Sequence, residues 1–358
     1  MTIKDPQVTI VVVPRERFSL AARSLQSIYE QSDVPFRLVY VDGGSPSRVR
    51  RFLERQAEER GFELIRTDHY LSPNQARNLG LRRVESEYVV FIDNDVVVAP
   101  GWLAPLVQCA AETGAAVVSP LTCEGEPIYE VIHFAGGECH VRVEEKAERN
   151  ERHMVDTISR QGQRLRDVRD QLKRERTEVA EFHCLLARTE IFDKIGCFDE
   201  GMTVRDNLDF SLMVSQAGGT VYFEPASVIT FLHPCPLKWS DMPFYVVRWS
   251  DEWMLASLHH FRDKWDLTED AYFTRQYKNL AWRRKDYLIQ NTLLRRVPSW
   301  RIRLLLEKLV FPVEEALTKG SVARHARRRA RAVPRSPGSL ARPIPGGGSA
   351  GAAEAPFD

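Results

Sequence analysis

No apolar run in this chain approaches the roughly 18–20 residues that cross a bilayer, and the first residues carry no apolar signal-peptide core. Paired cysteine spacing is missing as well. Cys109, Cys123, Cys139, Cys184, Cys197 and Cys235 are scattered without a Cys-x-x-Cys pair, which suits reduced core thiols in a cytoplasmic protein rather than a disulfide or zinc framework. The net charge of +1 argues against a globally basic nucleic-acid binder. No Gly-x-Gly-x-x-Gly or Walker loop follows the first strand signal, which excludes the dinucleotide and P-loop readings. What remains, with 43% hydrophobic and 28% charged residues over 358 positions, is an ordinary globular composition. It suits one large domain with additions, or two domains.

The first half alternates strand and helix signals. Apolar, β-branched runs at 8–13, 36–41, 62–65, 88–92 and 115–119 read as buried strands. Between them stand helix starts: Ser19, Ser45 followed by Pro46, Ser72 followed by Pro73, and Pro100. This βαβα order predicts an α/β fold with a doubly wound, mostly parallel sheet. Further strands are expected at 180–187, 220–223 and 228–232, and a helix at 207–217.

The strand at 88–92 runs into Asp93-Asn94-Asp95. Open α/β sheets place ligands at the C-terminal ends of their strands. Two carboxylates there repel each other unless a cation or a ligand's donors share the site. The pattern points to a metal carrying a phosphate-containing ligand.

Residues 141–178 are densely charged, and Met154, Ile158, Leu165, Val168 and Leu172 recur at mostly helical spacing. The expectation is a solvated helix or long loop inserted between sheet elements, with a mobile lid or coiled-coil contact as the sharper alternative. Beyond residue 235 the chain becomes helical and aromatic, with Trp239, Trp249, Trp253, Phe261 and Trp265 expected to pack on the core. Ser299 opens a helix with Ile302, Leu305, Leu306, Leu309 and Val310 on one face, and five arginines from Arg324 to Arg331 follow. Two readings fit equally: a basic amphipathic helix on anionic lipid, or a core-docked helix with a basic tail. Residues 333–358, rich in Pro, Gly, Ala and Ser, read as disordered.

The succession Val8 to Pro14, Val39 to Ser45 (with Asp42-Gly43-Gly44), Gln75 to Gly80 and Val90 to Asp95 resembles family 2 glycosyltransferases of the GT-A fold. The likeness continues through Leu185 to Arg188, Gly196 to Glu200 and Asp206 to Leu212, ending near His233. It implies a GT-A domain over 1–235, with a helical extension over 236–332. It also implies transfer of a sugar from a nucleoside-diphosphate donor to a hydroxyl acceptor, with Mg2+ or Mn2+ and inversion at the anomeric carbon. In that reading Asp95 and His233 hold the metal, while Pro14, Arg15, Asp42, Arg77 and Asp93 hold the donor. Asp206 is the first choice for the base and Asp209 the second, with His183 a weaker acceptor-side candidate. Two departures stand out. Many members carry a second acid where Gly43 stands, and Pro14-Arg15-Glu16-Arg17 differs from the commoner Pro-Thr-Tyr-Asn. The implied partners are a sugar nucleotide and an acceptor that is a saccharide, a lipid-linked glycan or a small metabolite. No nucleic acid is implied, and the expected location is cytoplasmic, with contact at the inner face of an anionic membrane left open. Two other classes stay in view. One is a non-catalytic protein that binds sugar nucleotides. The other is a sugar-nucleotide pyrophosphorylase, which would carry a Gly-rich basic loop where Pro14 to Arg17 stands.

Overall fold

The computed structural model describes residues 7–147, 149–232 and 236–332. In the first half β1 (Val8–Val13), α1 (Ala21–Gln31), β2 (Phe36–Gly43), α2 (Ser47–Arg60), β3 (Glu63–Thr67), α3 (Pro73–Leu81) and β4 (Tyr88–Asp93) alternate. The short β5 (Val96–Val98), α4 (Leu103–Thr113) and β6 (Val117–Glu124) follow. The central region comprises β7 (Val131–Phe134), β8 (Gly137–Glu144), β9 (Glu151–Ile158), α5 (Leu165–Val168), β10 (Glu175–Thr177), β11 (Cys184–Arg188), α6 (Ile191–Ile195), α7 (Asp206–Gln216) and β12 (Val221–Phe231). The order across the main sheet is β10-β12-β6-β11-β4-β1-β2-β3. β1, β2, β3 and β4 pair in parallel, as do β6 and β12, and β11 is inserted antiparallel between β4 and β6. This is the mostly parallel α/β sheet that the strand–helix alternation implied.

The period-2 alternation of β1 shows why both faces must be covered. Val8, Ile10 and Val12 pack with Leu25, Ile28 and Leu106 from α1 and α4. Val11 and Val13 pack instead with Ala76 of α3 and with Phe210 and Val214 of α7. Each such buried aliphatic side chain contributes about 1.5–3 kcal/mol. α3 lies especially close to β1, because a Cβ on Gly80 would stand 2.2 Å from Val11 Cγ1.

Several local expectations change. The Ser19 and Ser45 hydroxyls cap no helix: Ser19 bonds Asp241, and Ser45 bonds Asp42. Ser72 does cap α3, in a capping box with Gln75. The strands expected at 220–223 and 228–232 form one strand, β12, with a register shift between Glu224 and Val228.

The largest correction concerns 141–178, which is neither one solvated helix nor a long loop. β8 and β9 form an antiparallel hairpin in register from Gly137–Ile158 to Glu144–Glu151, and β10 joins the main sheet against β12. The i, i+4 spacing of Met154 and Ile158 misled because it satisfies both periods: on a strand, residues four apart also share a face.

The remaining chain forms α8 (Met242–Arg248), α9 (Asp251–Lys264), α10 (Ala271–Lys278), a π-helical stretch (Arg284–Leu293) and α11 (Trp300–Ala332). Phe261, Trp265, Leu267 and Phe273 share one core with Leu121, Phe134 and Met154, so the extension completes a core that the sheet leaves open. Trp249 is buried in a separate cluster with Leu237, Tyr245 and Leu288, whereas Trp239 is 78% exposed. On α11, Ile302, Leu305 and Leu309 face outward, while Glu314 is buried against Arg284 at 2.6 Å. Among the described residues no helix is long and apolar enough to cross a membrane.

Candidate active site

The C-terminal ends of β1, β2 and β4 converge on one edge of the sheet. Asn94, between the two acids, staples the segment after β1: its Oδ1 accepts the Arg15 N–H at 3.1 Å, and its Nδ2 donates to the Arg17 carbonyl at 3.1 Å. Arg15 is thereby aimed back at β4, where its Nε lies 3.3 Å from Asp93 Oδ2. Arg77 of α3 reaches the same carboxylate from the other side, with Nη2 3.6 Å from Asp93 Oδ1. Neither contact has hydrogen-bond geometry: both oxygens of Asp93, and Oδ1 of Asp95, are buried without a hydrogen-bond partner. Burial pushes both carboxyls up from their ordinary range. Arg15 and Arg77 oppose the shift for Asp93, and the neighbouring Asp93 adds to it for Asp95.

Orphaned, buried carboxylate oxygens are costly to leave unmatched. Hard oxygen donors of this kind suit Mg2+ or Mn2+, so the residues present fit such an ion. His233, the other expected ligand, lies outside the described residues.

Asp42 is engaged differently. Its Oδ1 accepts the Ser45 N–H at 2.9 Å, Oδ2 accepts the Ser45 hydroxyl at 2.8 Å, and Arg66 pairs with Oδ2. The carboxylate thus closes the turn after β2, in which Gly44 holds φ +76 with His69 backbone 3.0 Å from where a Cβ would stand. Pro14 packs beside that turn, its Cγ 3.2 Å from a Cβ built on Gly43.

Arg77 also donates to Asp206 Oδ2 and to Asn74 Oδ1, each at 2.8 Å. Asp206 opens α7, and the residue before it, Arg205, holds φ 62. A non-glycine residue in that region stores strain of about 1–3 kcal/mol. Asp156 of β9 pairs with Arg205 at 3.0 Å, so the hairpin insertion braces the start of α7. Asp209, one turn on, is not brought to this edge: Trp265 Nε1 donates to it at 2.9 Å and Lys264 Nζ at 2.9 Å. Its carboxylate joins α7 to α9.

His183 accepts the Asp93 N–H on its carbonyl at 3.0 Å, which places it beside the acid pair. Its ring pairs with Glu181 and packs at a tilt against Phe231, with centroids 4.3 Å apart. Burial, with Arg15 and His133 nearby, holds the imidazole down at about 4 against the pull of Glu181.

Next to Asp206 opens a cleft of about 490 Å³, walled by α7, α8, α9 and α10 and including Arg15, Arg248, Trp249 and Arg283. Sequence reasoning missed Arg248 and Arg283 altogether. The Arg248-Trp249 pair after an apolar stretch was the one local signal, and it read as helix packing. Asn94 was missed because it stood between two more conspicuous residues.

Residues 9–196 match the family described as Glycosyl transferase family 2. The chain is 25% identical over 239 residues to a pre-mycofactocin glycosyltransferase of Mycobacterium tuberculosis, covering 64% of this chain and 44% of that protein. It is 28% identical over 262 residues to polypeptide N-acetylgalactosaminyltransferase 12 of Mus musculus, covering 70% and 44%. The chain therefore spans less than half the length of either relative. Among solved structures it is similar to GalNAc-T7 with UDP, GalNAc and Mn2+, at TM-score 0.48 and 18% identity, covering 78% of this chain and 58% of that one. It is also similar to the mannosyltransferase PcManGT from Pyrobaculum calidifontis in complex with GDP-Man and Mn2+, at TM-score 0.46 and 16% identity, covering 92% and 87%. With the family match extending over more than half of its residues, this chain belongs to glycosyl transferase family 2.

Proposed function

We propose that the protein transfers a sugar from a nucleoside-diphosphate sugar to a hydroxyl acceptor, inverting the anomeric configuration, in glycan or glycoconjugate synthesis. The observation that carries this reading is the buried pair Asp93 and Asp95, with carboxylate oxygens lacking partners, set across Arg77 from Asp206. Asp95 holds a divalent cation, Mg2+ or Mn2+, which when bound supplies charge neutralisation for a diphosphate leaving group. His233 stays a proposed further ligand. Pro14, Arg15, Arg77 and Asp93 orient the donor. Asp42, already tied to Ser45 and Arg66, contributes by shaping the turn at the nucleotide end rather than as a free acid. Asp206 accepts the acceptor hydroxyl proton as the new C–O bond forms and the bond to the diphosphate breaks. Arg77 fixes its position. Asp209 is set aside as the base because Lys264 and Trp265 hold it. The pyrophosphorylase alternative finds no support in a Pro14 to Arg17 segment pinned by Asn94.

The decisive assay is nucleoside-diphosphate release from a panel of UDP-, GDP- and TDP-sugars with Mn2+ or Mg2+. The expected result is metal-dependent turnover that Asp95→Ala abolishes. Metal-independent donor binding without turnover would instead establish a non-catalytic sugar-nucleotide binder.

The finer partner proposal is contact with an anionic membrane. Ile302, Leu305, Leu309 and Val313 form an outward apolar stripe on α11, which continues into exposed Arg324, Arg327 and Arg328. An apolar stripe joined to clustered arginines is complementary to an anionic bilayer surface. Pelleting with phosphatidylserine-containing vesicles is expected, and equal pelleting of Leu305→Glu/Leu309→Glu would exclude this helix.

A further inference from the structure

Arg248, the last residue of α8, is 1% exposed, yet its Nε and Nη1 have no hydrogen-bond partner. Its guanidinium carbon lies 4.3 Å from the Trp249 ring, and the carboxylates of Asp206 and Glu16 attract it from beyond ion-pair distance while Arg15 and Arg283 repel it. Among the described residues no carboxylate pairs with it. Two further donors in the same cleft are also buried without hydrogen-bond partners, Arg15 Nη1 and Trp249 Nε1. Arg283, which stacks on Trp249 at 4.1 Å and pairs with Glu16 at 3.3 Å, adds a third guanidinium to the wall. With Arg205, four arginines line the cleft against one acid, Asp206.

A buried guanidinium is ordinarily retained only with an anion against it, because desolvation is otherwise uncompensated. The unmet groups of Arg248, Arg15 and Trp249 are all donors, so the complementary ligand group is acceptor-only: a phosphate or a carboxylate. Its place is equally specific. The cleft includes Asp206 but none of Asp42, Asp93 or Asp95, and it meets the donor site only at Arg15, which also approaches Asp93.

We propose that the acceptor carries an anionic group, a phosphate or a carboxylate, which Arg248 binds beside Asp206, with Arg15 shared between that group and the donor site. The inference rests on the transferase reading and adds the substrate class. It gives the helical extension a direct part in choosing the acceptor, since α8 ends in Arg248 and Trp249 follows it. An oxyanion seated there would set the acceptor hydroxyl against Asp206 by its distance along the acceptor, a positioning role that a neutral saccharide could not fill.

The test uses the full chain and calorimetric titration with inorganic phosphate, with acetate, and separately with UDP or GDP plus Mn2+. Phosphate or acetate is expected to bind the wild type at one site. Arg248→Gln is expected to weaken that binding on the order of tenfold, as loss of a charge-assisted donor does, while nucleotide affinity changes less than about twofold. The stronger of the two anions identifies the acceptor's group. Equal anion binding by wild type and Arg248→Gln would overturn the proposal. So would a parallel tenfold loss of nucleotide binding, which would mean that Arg248 serves the donor's diphosphate. Arg283→Ala, at the more open rim, is expected to weaken the anion by two- to threefold and serves if Arg248→Gln does not fold. If neither protein binds nucleotide with Mn2+, the transferase reading fails, and with it the acceptor assignment. Arg248-dependent anion binding would still stand as a separate result.

Discussion

The two sides of the cleft are built on opposite electrostatic plans. On the proposed donor side, carboxylates at the end of β4 are buried with unmet oxygens; on the proposed acceptor side, arginines are buried with unmet donors. Arg15 and Arg77 stand between them, so the imbalance is not cancelled internally although the opposite charges are close. A fold stabilised for its own sake would pair these groups or replace them with apolar ones. Their separation is what the proposed ligands would complete, a cation with the donor and an oxyanion with the acceptor.

The sharpest way to break this comparison is to remove the donor-side charge. Asp95→Ala is expected to lower kcat/KM on the order of 10³-fold or more, because several kcal/mol of stabilisation are lost with the ion. It should also abolish the Mn2+-dependent rise in Tm with nucleotide. Next comes Asp206→Asn, with an expected fall in kcat of about 10²–10⁴-fold and nearly unchanged donor affinity. The matched control, Asp209→Asn, should leave kcat within severalfold and cost about 1–3 kcal/mol of stability in urea, since Lys264 loses its buried partner. If the kinetic losses fall on Asp209 instead, the division of roles within α7 is wrong.

A third contrast is one of packing and tests the donor side as scaffold. Gly80→Ala drives a Cβ into Val11 and should cost about 1–3 kcal/mol, read as a lower urea midpoint with unchanged slope. The smallest effect is one of pH. His183 titrates at about 4 in the fold, below its ordinary value of 6.5. The unfolded chain therefore binds more protons between pH 6.5 and 4, and stability falls as pH drops through that window. His183→Gln is expected to flatten the slope there, and an unchanged slope would assign it to other groups.

How legible each side was follows from how its residues are recruited. The donor side is built from contiguous strand ends: β1 spans the residues expected of it, and the Ser72 capping box is local by nature. The acid pair needed only the end of an apolar run to be recognised. By contrast Ser19 and Ser45 carried correct local cap signals, but side chains elsewhere captured them, Asp241 across 222 positions in the case of Ser19. The hairpin at 137–158 was misread because four-residue spacing is common to both periods. Sequence ranked Asp206 ahead of Asp209 on one helix turn, but only the fold showed that Lys264 of α9 and the following Trp265 engage the second of them.

By itself the sequence determined the sheet, the family and the acid pair, because hydrophobic periodicity and strand-end chemistry act over a few residues. The tertiary structure alone decided which carboxylates are already satisfied and which are not. It also decided that Arg248 is buried without a partner and that the helical extension forms the wall facing Asp206. Those properties depend on which distant groups approach within hydrogen-bonding reach, and on how much water their approach expels.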